Sequence, residues 1–235
     1  MYKNIYFLHI PKTAGRFAYQ NLLMELEGSL NEGQVRIDVH NQTGVSSHQA
    51  WCTTYIEDTT YIISIMRDPV KHLVSLYCHT QAISINGERI SPLGGPTINK
   101  KDFFNWINQE WLSNYQSKNI MVEKESTTRF THKELFKKPI TELEPVKQKL
   151  SRINLLLRNE DLTEANIVKI RKKILEDLGI EATSVSTNFV VNPNFSNEDS
   201  TNLYNSLTKA EKDVIYKFSP IDKQIYEDDS YFWIP

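Results

Sequence analysis

The chain reads as an α/β protein built on a central, largely parallel sheet. Three observations predict this. Apolar runs at residues 3–9, 61–66 and 153–157 are each followed by a loop and then a helical pattern, the alternation that a parallel sheet requires. The run Tyr-Ile-Ile-Ser-Ile-Met at 61–66 is nearly continuously apolar, as a strand covered on both faces must be. A hydrophobic content of 40% in 235 residues supplies a sizeable core, and one domain over 1–235 is the simpler organisation.

The elements follow in order. Residues 3–9 are rich in β-branched and aromatic side chains and end at Pro11, which marks the first strand. After a loop through Gly15, the residues Phe17, Asn21, Leu22, Met24, Glu25 and Leu26 suggest an imperfectly amphipathic helix that stops at Gly28. A second strand is expected at 35–39 and the central one at 61–66. Arg67-Asp-Pro69 closes that strand, and Pro69 suits the first turn of the next helix, where Val70, Leu73, Val74 and Tyr77 recur at helical spacing. Residues 83–100 carry the Gly, Pro, Ser and Asn content of a long loop. Helical patterns return at 102–112, then a strand at 153–157, then a charged amphipathic helix over 163–178 closed by Gly179, and three more helical segments near 197–205, 208–218 and 220–228.

Composition removes several function classes. With 27 Lys and Arg against 29 Asp and Glu, the net charge of -2 gives no global electrostatic reason to expect nucleic acid or an acidic membrane as partner. Eight Gly, nine Pro and two Cys exclude collagen-like, disordered and disulfide-framework chains. The apolar stretch Ile5–Ile10 is too short for a signal peptide, and no apolar run approaches the ~20 residues that span a bilayer. Cys52 and Cys78 form no CxxC pair and have no metal-ligand spacing; read as reduced thiols, they point to a cytoplasmic protein. Neither an internal repeat nor a low-complexity tract is visible.

The most informative segment is His9-Ile-Pro-Lys-Thr-Ala-Gly15, placed between a strand and a helix. Backbone N–H groups at a helix start are unpaired and carry partial positive charge, so an anion fits there. Ala14 and Gly15 are small enough to let a phosphate approach the backbone, Lys12 adds a cation and Thr13 a hydroxyl donor. The run is not a Walker A loop, because its Gly follows the Lys and no Gly-rich run precedes it. Read alone, it is either a phosphate cradle or an ordinary strand-to-helix turn with a surface lysine.

The segment resembles the 5′-phosphosulfate loop of the sulfotransferase family that includes heparan sulfate 2-O-sulfotransferase and related carbohydrate sulfotransferases. A second stretch, Arg67-Asp-Pro-Val-Lys-His-Leu-Val-Ser75, resembles the same family's 3′-phosphate motif. The resemblance implies a P-loop-like three-layer fold with a central, largely parallel sheet flanked by helices. It implies 3′-phosphoadenosine 5′-phosphosulfate (PAPS) as co-substrate. Lys12 would contact the bridging oxygen and leaving phosphate, with Thr13, Ala14 and Gly15 wrapping the 5′-phosphate and Arg67 and Ser75 binding the 3′-phosphate. Arg16-Phe17 stands where the family carries Thr-Ser, and Arg16 would either replace a hydroxyl contact by a charge-assisted one or point to solvent. Weaker echoes lie at Asn114–Lys118, Leu156–Glu160, Asn194–Ser196, Leu207-Thr208 and Asp222–Tyr226.

The residues around these motifs have their own readings. Asp68 caps the helix that Pro69 begins. Lys71 and His72 read as solvated helix-face residues. Sulfuryl transfer also needs a base for the acceptor hydroxyl, a role suited to His. The family places a Gly-His or Ser-His pair ahead of its Arg-Asp-Pro, and Ser47-His48 lies at the matching distance here, so the resemblance selects His48, with His40 as competitor. His9 is expected to orient the loop. His79 rides a helix whose apolar face is core, and His132 lies in a polar stretch. Trp51, Trp106 and Trp111 are either core or an acceptor-stacking surface. The expected activity is transfer from PAPS to a hydroxyl of a carbohydrate or small-metabolite acceptor, with no metal, since Lys12, Arg67 and backbone dipoles supply the positive field. A non-catalytic nucleotide- or glycan-binding module and a magnesium-dependent P-loop kinase are the alternatives.

Overall fold

The structure is a computed structural model that describes residues 2, 4–27, 36–38, 51–52, 56–82, 84–85, 88–89, 98–124, 139–181, 185, 187–189 and 198–235. Its strands are β1 (Asn4–Leu8), β2 (Arg36–Asp38), β3 (Trp51–Cys52), β4 (Thr60–Met66), β5 (Ser84–Ile85), β6 (Glu88–Arg89), β7 (Glu123–Lys124) and β8 (Leu155–Arg158). The main sheet has the order β2-β1-β4-β8 and is parallel throughout, with β1, β4 and β8 as its substantial strands and β2 a three-residue edge. The fold is therefore α/β with a parallel sheet. Register sets Leu8 beside Ser64 and Met66 beside Arg158, so the chain leaves all three long strands at the same end.

The near-continuous apolar run of β4 has a direct cause: all seven of its residues are buried. Ile5, Phe7, Tyr61, Ile63, Ile65, Leu155 and Leu157 point to one face, where they meet the helix after β1 and α7 (Glu164–Asp177). Tyr6, Leu8, Ile62, Met66 and Leu156 point to the other, against α5 (Tyr115–Met121), α6 (Glu144–Leu150) and α10 (Pro220–Glu227). Each fully buried side chain of this size contributes about 1.5–3 kcal/mol, so the period of two places stabilising area on both faces. Ile153 precedes β8 instead of opening it; Asn154 extends the pairing, its N–H donating to the Ile62 carbonyl and its Oδ1 accepting from Ile62 N.

The helix after β1 begins at Gly15, earlier than the apolar pattern suggests. α1 (Gly15–Ala18) runs into a π-helical stretch, Tyr19–Leu23, and on to α2 (Met24–Glu27). The π turn explains the imperfect amphipathicity, because it brings Asn21, Leu22 and Leu23 to the buried side together. A third cluster joins α3 (Pro69–Ala82), α4 (Lys100–Ile107), α8 (Glu198–Ser206) and α9 (Lys209–Phe218). Trp106 and Trp111 belong to it, 2% and 5% exposed, and stack edge-on 6.1 Å apart. They form core and offer no stacking surface to an acceptor.

Other boundaries move by small amounts. The helical pattern expected over 102–112 divides into α4 and a 3₁₀ turn at Glu110–Leu112. α7 ends where Gly179 adopts φ 70°, with Ile180 N donating to Leu175 O, the left-handed stop that the glycine announces. Thr208 caps α9 with a reciprocal bond to Glu211. Within the expected loop 83–100, β5 and β6 form a short antiparallel ladder. Among the described residues no helix is long and apolar enough to cross a membrane.

Candidate functional site

At the end of the sheet where β1, β4 and β8 finish, three segments meet: the loop 9–15, Arg67 and the turn Asn159–Asp161. Ligands of open α/β sheets bind at this end. The loop has a distinctive backbone. Lys12 and Ala14 take positive φ, 68° and 66°, which costs a non-glycine residue roughly 1–2 kcal/mol each. Left-handed residues alternating along a turn direct successive N–H groups into one concavity, an anion-binding nest. Fully buried Thr13 braces the turn, its Oγ1 donating to the Ile10 carbonyl at 2.8 Å. The hydroxyl proton is thus spent on the protein, and the backbone N–H is what Thr13 offers to an anion.

Gly15 also answers a steric demand within the protein. A Cβ there would lie 2.0 Å from Nε2 of His9, whose ring stacks on Phe7 at 5.6 Å. The missing side chain makes room for His9 at the start of α1. Gly15→Ala should therefore lower the urea midpoint, and the double variant with His9→Ala should recover much of the loss. The expected coupling is about 0.5–3 kcal/mol; strictly additive effects would show that ring and methyl do not compete.

Arg67 is presented at the end of β4 by a side chain from another element. Gln116 of α5 accepts from Arg67 N at 2.9 Å and donates to Arg67 O at 2.8 Å, extending the sheet's bonding by one residue. The guanidinium reaches the loop, with Nη1 3.4 Å from the Lys12 carbonyl. Its Nε is buried and has no hydrogen-bond partner among the described residues. Burial lowers the Arg67 pKa, and the charges of Glu160, Asp68 and Tyr226 oppose that shift. A guanidinium stays protonated under such shifts, so Arg67 is a fixed cation with one N–H that no described residue accepts.

The neighbouring acids are engaged elsewhere. Asp68 caps α3 through Lys71 N at 2.9 Å and accepts from Tyr216 OH at 2.6 Å. Glu160 accepts from Lys71 at 3.2 Å and from Tyr226 OH at 2.7 Å. His72, Ser75 and His79 share one face of α3 by their spacing. Burial lowers the pKa of both histidines and the charge of Lys12 adds to that in each; Ser75, between them, is half-buried. The structure thus brings Lys12, Thr13, Ala14, Gly15 and Arg67 to one end of the sheet, with Ser75 about two turns along α3.

His72 departs from its reading as a solvated residue. It is 1% exposed, and its Nε2 lies 2.8 Å from the Pro11 carbonyl. The Asn114–Lys118 segment is buried and ties α5 to α10 and to Arg67. His72 and Gln116 are the two contributors that motif reading passes over. His72 lies opposite the stripe of Val70, Leu73, Val74 and Tyr77, so periodicity gave no signal for its burial, and Gln116 appeared only within the Asn114–Lys118 echo. His40, His48 and His132 lie outside the described residues, as do the side chains of Arg16 and Trp51. Cys78 is a buried free thiol, pushed up to about 12 chiefly by burial. Among the described residues no three His, Cys, Asp or Glu side chains converge as metal ligands. Compared with protein-family models and with curated proteins, the chain has no significant match.

Proposed function

We propose that this chain is a PAPS-dependent O-sulfotransferase on a P-loop-like three-layer fold, acting on a hydroxyl of a carbohydrate or small-metabolite acceptor. The observation that carries the reading is the convergence of two motifs distant in sequence: the left-handed Lys12–Ala14 loop and Arg67, whose guanidinium meets the Lys12 carbonyl and keeps a buried N–H that no described residue accepts. One phosphate accepts from the amides of Thr13, Ala14 and Gly15, and a second phosphate of the same nucleotide accepts from Arg67 and Ser75. Lys12 stabilises the charge that builds on the 5′-phosphate as its bond to sulfur breaks. The acceptor oxygen forms the new bond to sulfur, and its proton passes to the base, assigned to His48. Adenosine 3′,5′-bisphosphate is the leaving product.

A thermal-shift titration with adenosine 3′,5′-bisphosphate, set against ADP and ATP–magnesium, tests the donor site. A ligand at 100 times its Kd that binds only the folded state adds about 2.7 kcal/mol. For a chain of this length that raises Tm by roughly 5–11 °C. A shift confined to the 3′-phosphorylated nucleotide is the expected result. A shift with ATP–magnesium alone transfers the argument to a kinase, and no shift with any nucleotide ends the donor-site reading. Transfer of radiolabelled sulfate to a panel of acceptors then separates an enzyme from a binding module.

A further inference from the structure

We propose that His72 is a positioning residue for the loop between β1 and α1: it holds the Pro11 carbonyl and so keeps the following amides turned toward one bound anion, a role that rests on the reading of this loop as an anion cradle. Three consecutive carbonyls there are each tied to a donor. Ile10 O takes the Thr13 hydroxyl at 2.8 Å, Pro11 O takes His72 Nε2 at 2.8 Å, and Lys12 O takes Arg67 Nη1 at 3.4 Å. Carbonyl oxygens repel an anion, and tying them back leaves the N–H groups as what the loop presents.

The three ties differ in kind. Thr13 is part of the loop and moves with it. Arg67 makes the longest contact and has an N–H to give to a ligand. His72 alone is a short tie from a separate, fully packed element: its ring is buried in α3 and lies 5.3 Å from the ring of Tyr115 on α5. A carbonyl can only accept, so Nε2 carries the proton, and Nδ1 has no partner among the described residues. A leucine would fill this volume without stranding a nitrogen. What the imidazole adds is the one N–H that Pro11 receives.

The charged and titratable neighbours favour that neutral tautomer. Lys12 from the loop and Arg67 from the end of β4 both oppose protonation, α5 contributes Tyr115, and burial is the largest cause of a pKa lowered to about 3. The donor therefore keeps one form throughout the physiological range, and the tie does not titrate with the loop's ligand.

Isothermal titration of the full chain with adenosine 3′,5′-bisphosphate, and separately with inorganic pyrophosphate, tests this in wild type, His72→Leu and His72→Gln. The expected result is a loss of at least tenfold in bisphosphate affinity for His72→Leu and recovery to within about threefold for His72→Gln, whose amide supplies a donor. Leucine binding as tightly as wild type overturns the proposal, and so does a folded glutamine variant no better than leucine. If the wild type binds neither anion, the cradle reading itself fails. Should His72→Leu not fold, imidazole ¹⁵N shifts of the wild type decide. A neutral ring protonated at Nε2 that responds to bisphosphate is expected; a ring protonated at Nδ1, or one indifferent to the ligand, overturns the proposal.

Discussion

Lys12→Ala is expected to lower the turnover number of the proposed sulfuryl transfer by about 10²–10³-fold, the loss typical of removing one group aimed at developing charge. The substitution is unusually clean. Lys12 already sits at φ 68°, and alanine bears the same left-handed penalty, so the change does not relax the loop. The Lys12 carbonyl that meets Arg67 belongs to the backbone and survives. Affinity for adenosine 3′,5′-bisphosphate should fall far less than turnover, since the nest amides and Arg67 remain. Arg67→Ala gives the opposite split. It removes a charge-assisted donor worth about 1.5–3 kcal/mol, so bisphosphate affinity falls roughly 10–150-fold. Single-turnover rates and calorimetric Kd values for the two variants separate these effects. Unchanged turnover in Lys12→Ala would remove the lysine from the chemistry.

What was legible in the sequence had local causes. β4 announced itself because burial on both faces demands an unbroken apolar run. Gly179 marked the end of α7 because a left-handed stop wants glycine. The loop 9–15 and Arg67 stood out by residue type. The rest depended on distant partners. α5 carries Gln116, Ser117, Lys118 and Asn119 in its buried interior, so no apolar stripe marks it as a helix. Those side chains bond to groups such as Arg67, Glu110 O, Tyr115 O and Asp222, with Asn119 Oδ1 alone of their buried oxygens having no partner among the described residues. α6 offers only Val146 and Leu150 to the core. His72 looked solvated because nothing nearby in the chain shows that Pro11 O lies against it.

Asp222→Ala is expected to cost about 3–5 kcal/mol of folding stability, which lowers Tm by roughly 6–20 °C for a chain of this length. The reason is an exchange of caps between two helices. Asn114, left-handed at φ 48°, does not cap its own helix α5; its Oδ1 accepts from Ile221 N at 2.9 Å and Asp222 N at 3.3 Å, at the start of α10. Asp222 returns the service to α5, accepting from Gln116 N at 3.0 Å, Ser117 N at 2.8 Å and the Ser117 hydroxyl at 2.5 Å. Alanine would strand two backbone N–H groups and a hydroxyl in a site where Asp222 is 2% exposed. Ser117→Ala loses one of those bonds and should cost about 1 kcal/mol. Asp222→Asn falls between the two, because its amide must face an N–H. Burial outweighs these hydrogen bonds and raises the Asp222 pKa above 3.8, so the folded chain holds that proton more tightly than the unfolded one. This contribution is full below 3.8 and is lost as pH rises through the raised value, a slope that Asp222→Asn should lack. Gln116, whose backbone Asp222 fixes, is also the residue that holds Arg67 at the end of β4. Asp222→Ala should therefore weaken bisphosphate binding even below its own melting temperature, although the carboxylate belongs to the α5–α10 junction and not to the anion cradle. Urea midpoints together with calorimetry check both parts, and a variant no less stable than Ser117→Ala would show that the exchanged caps are not what joins the two helices.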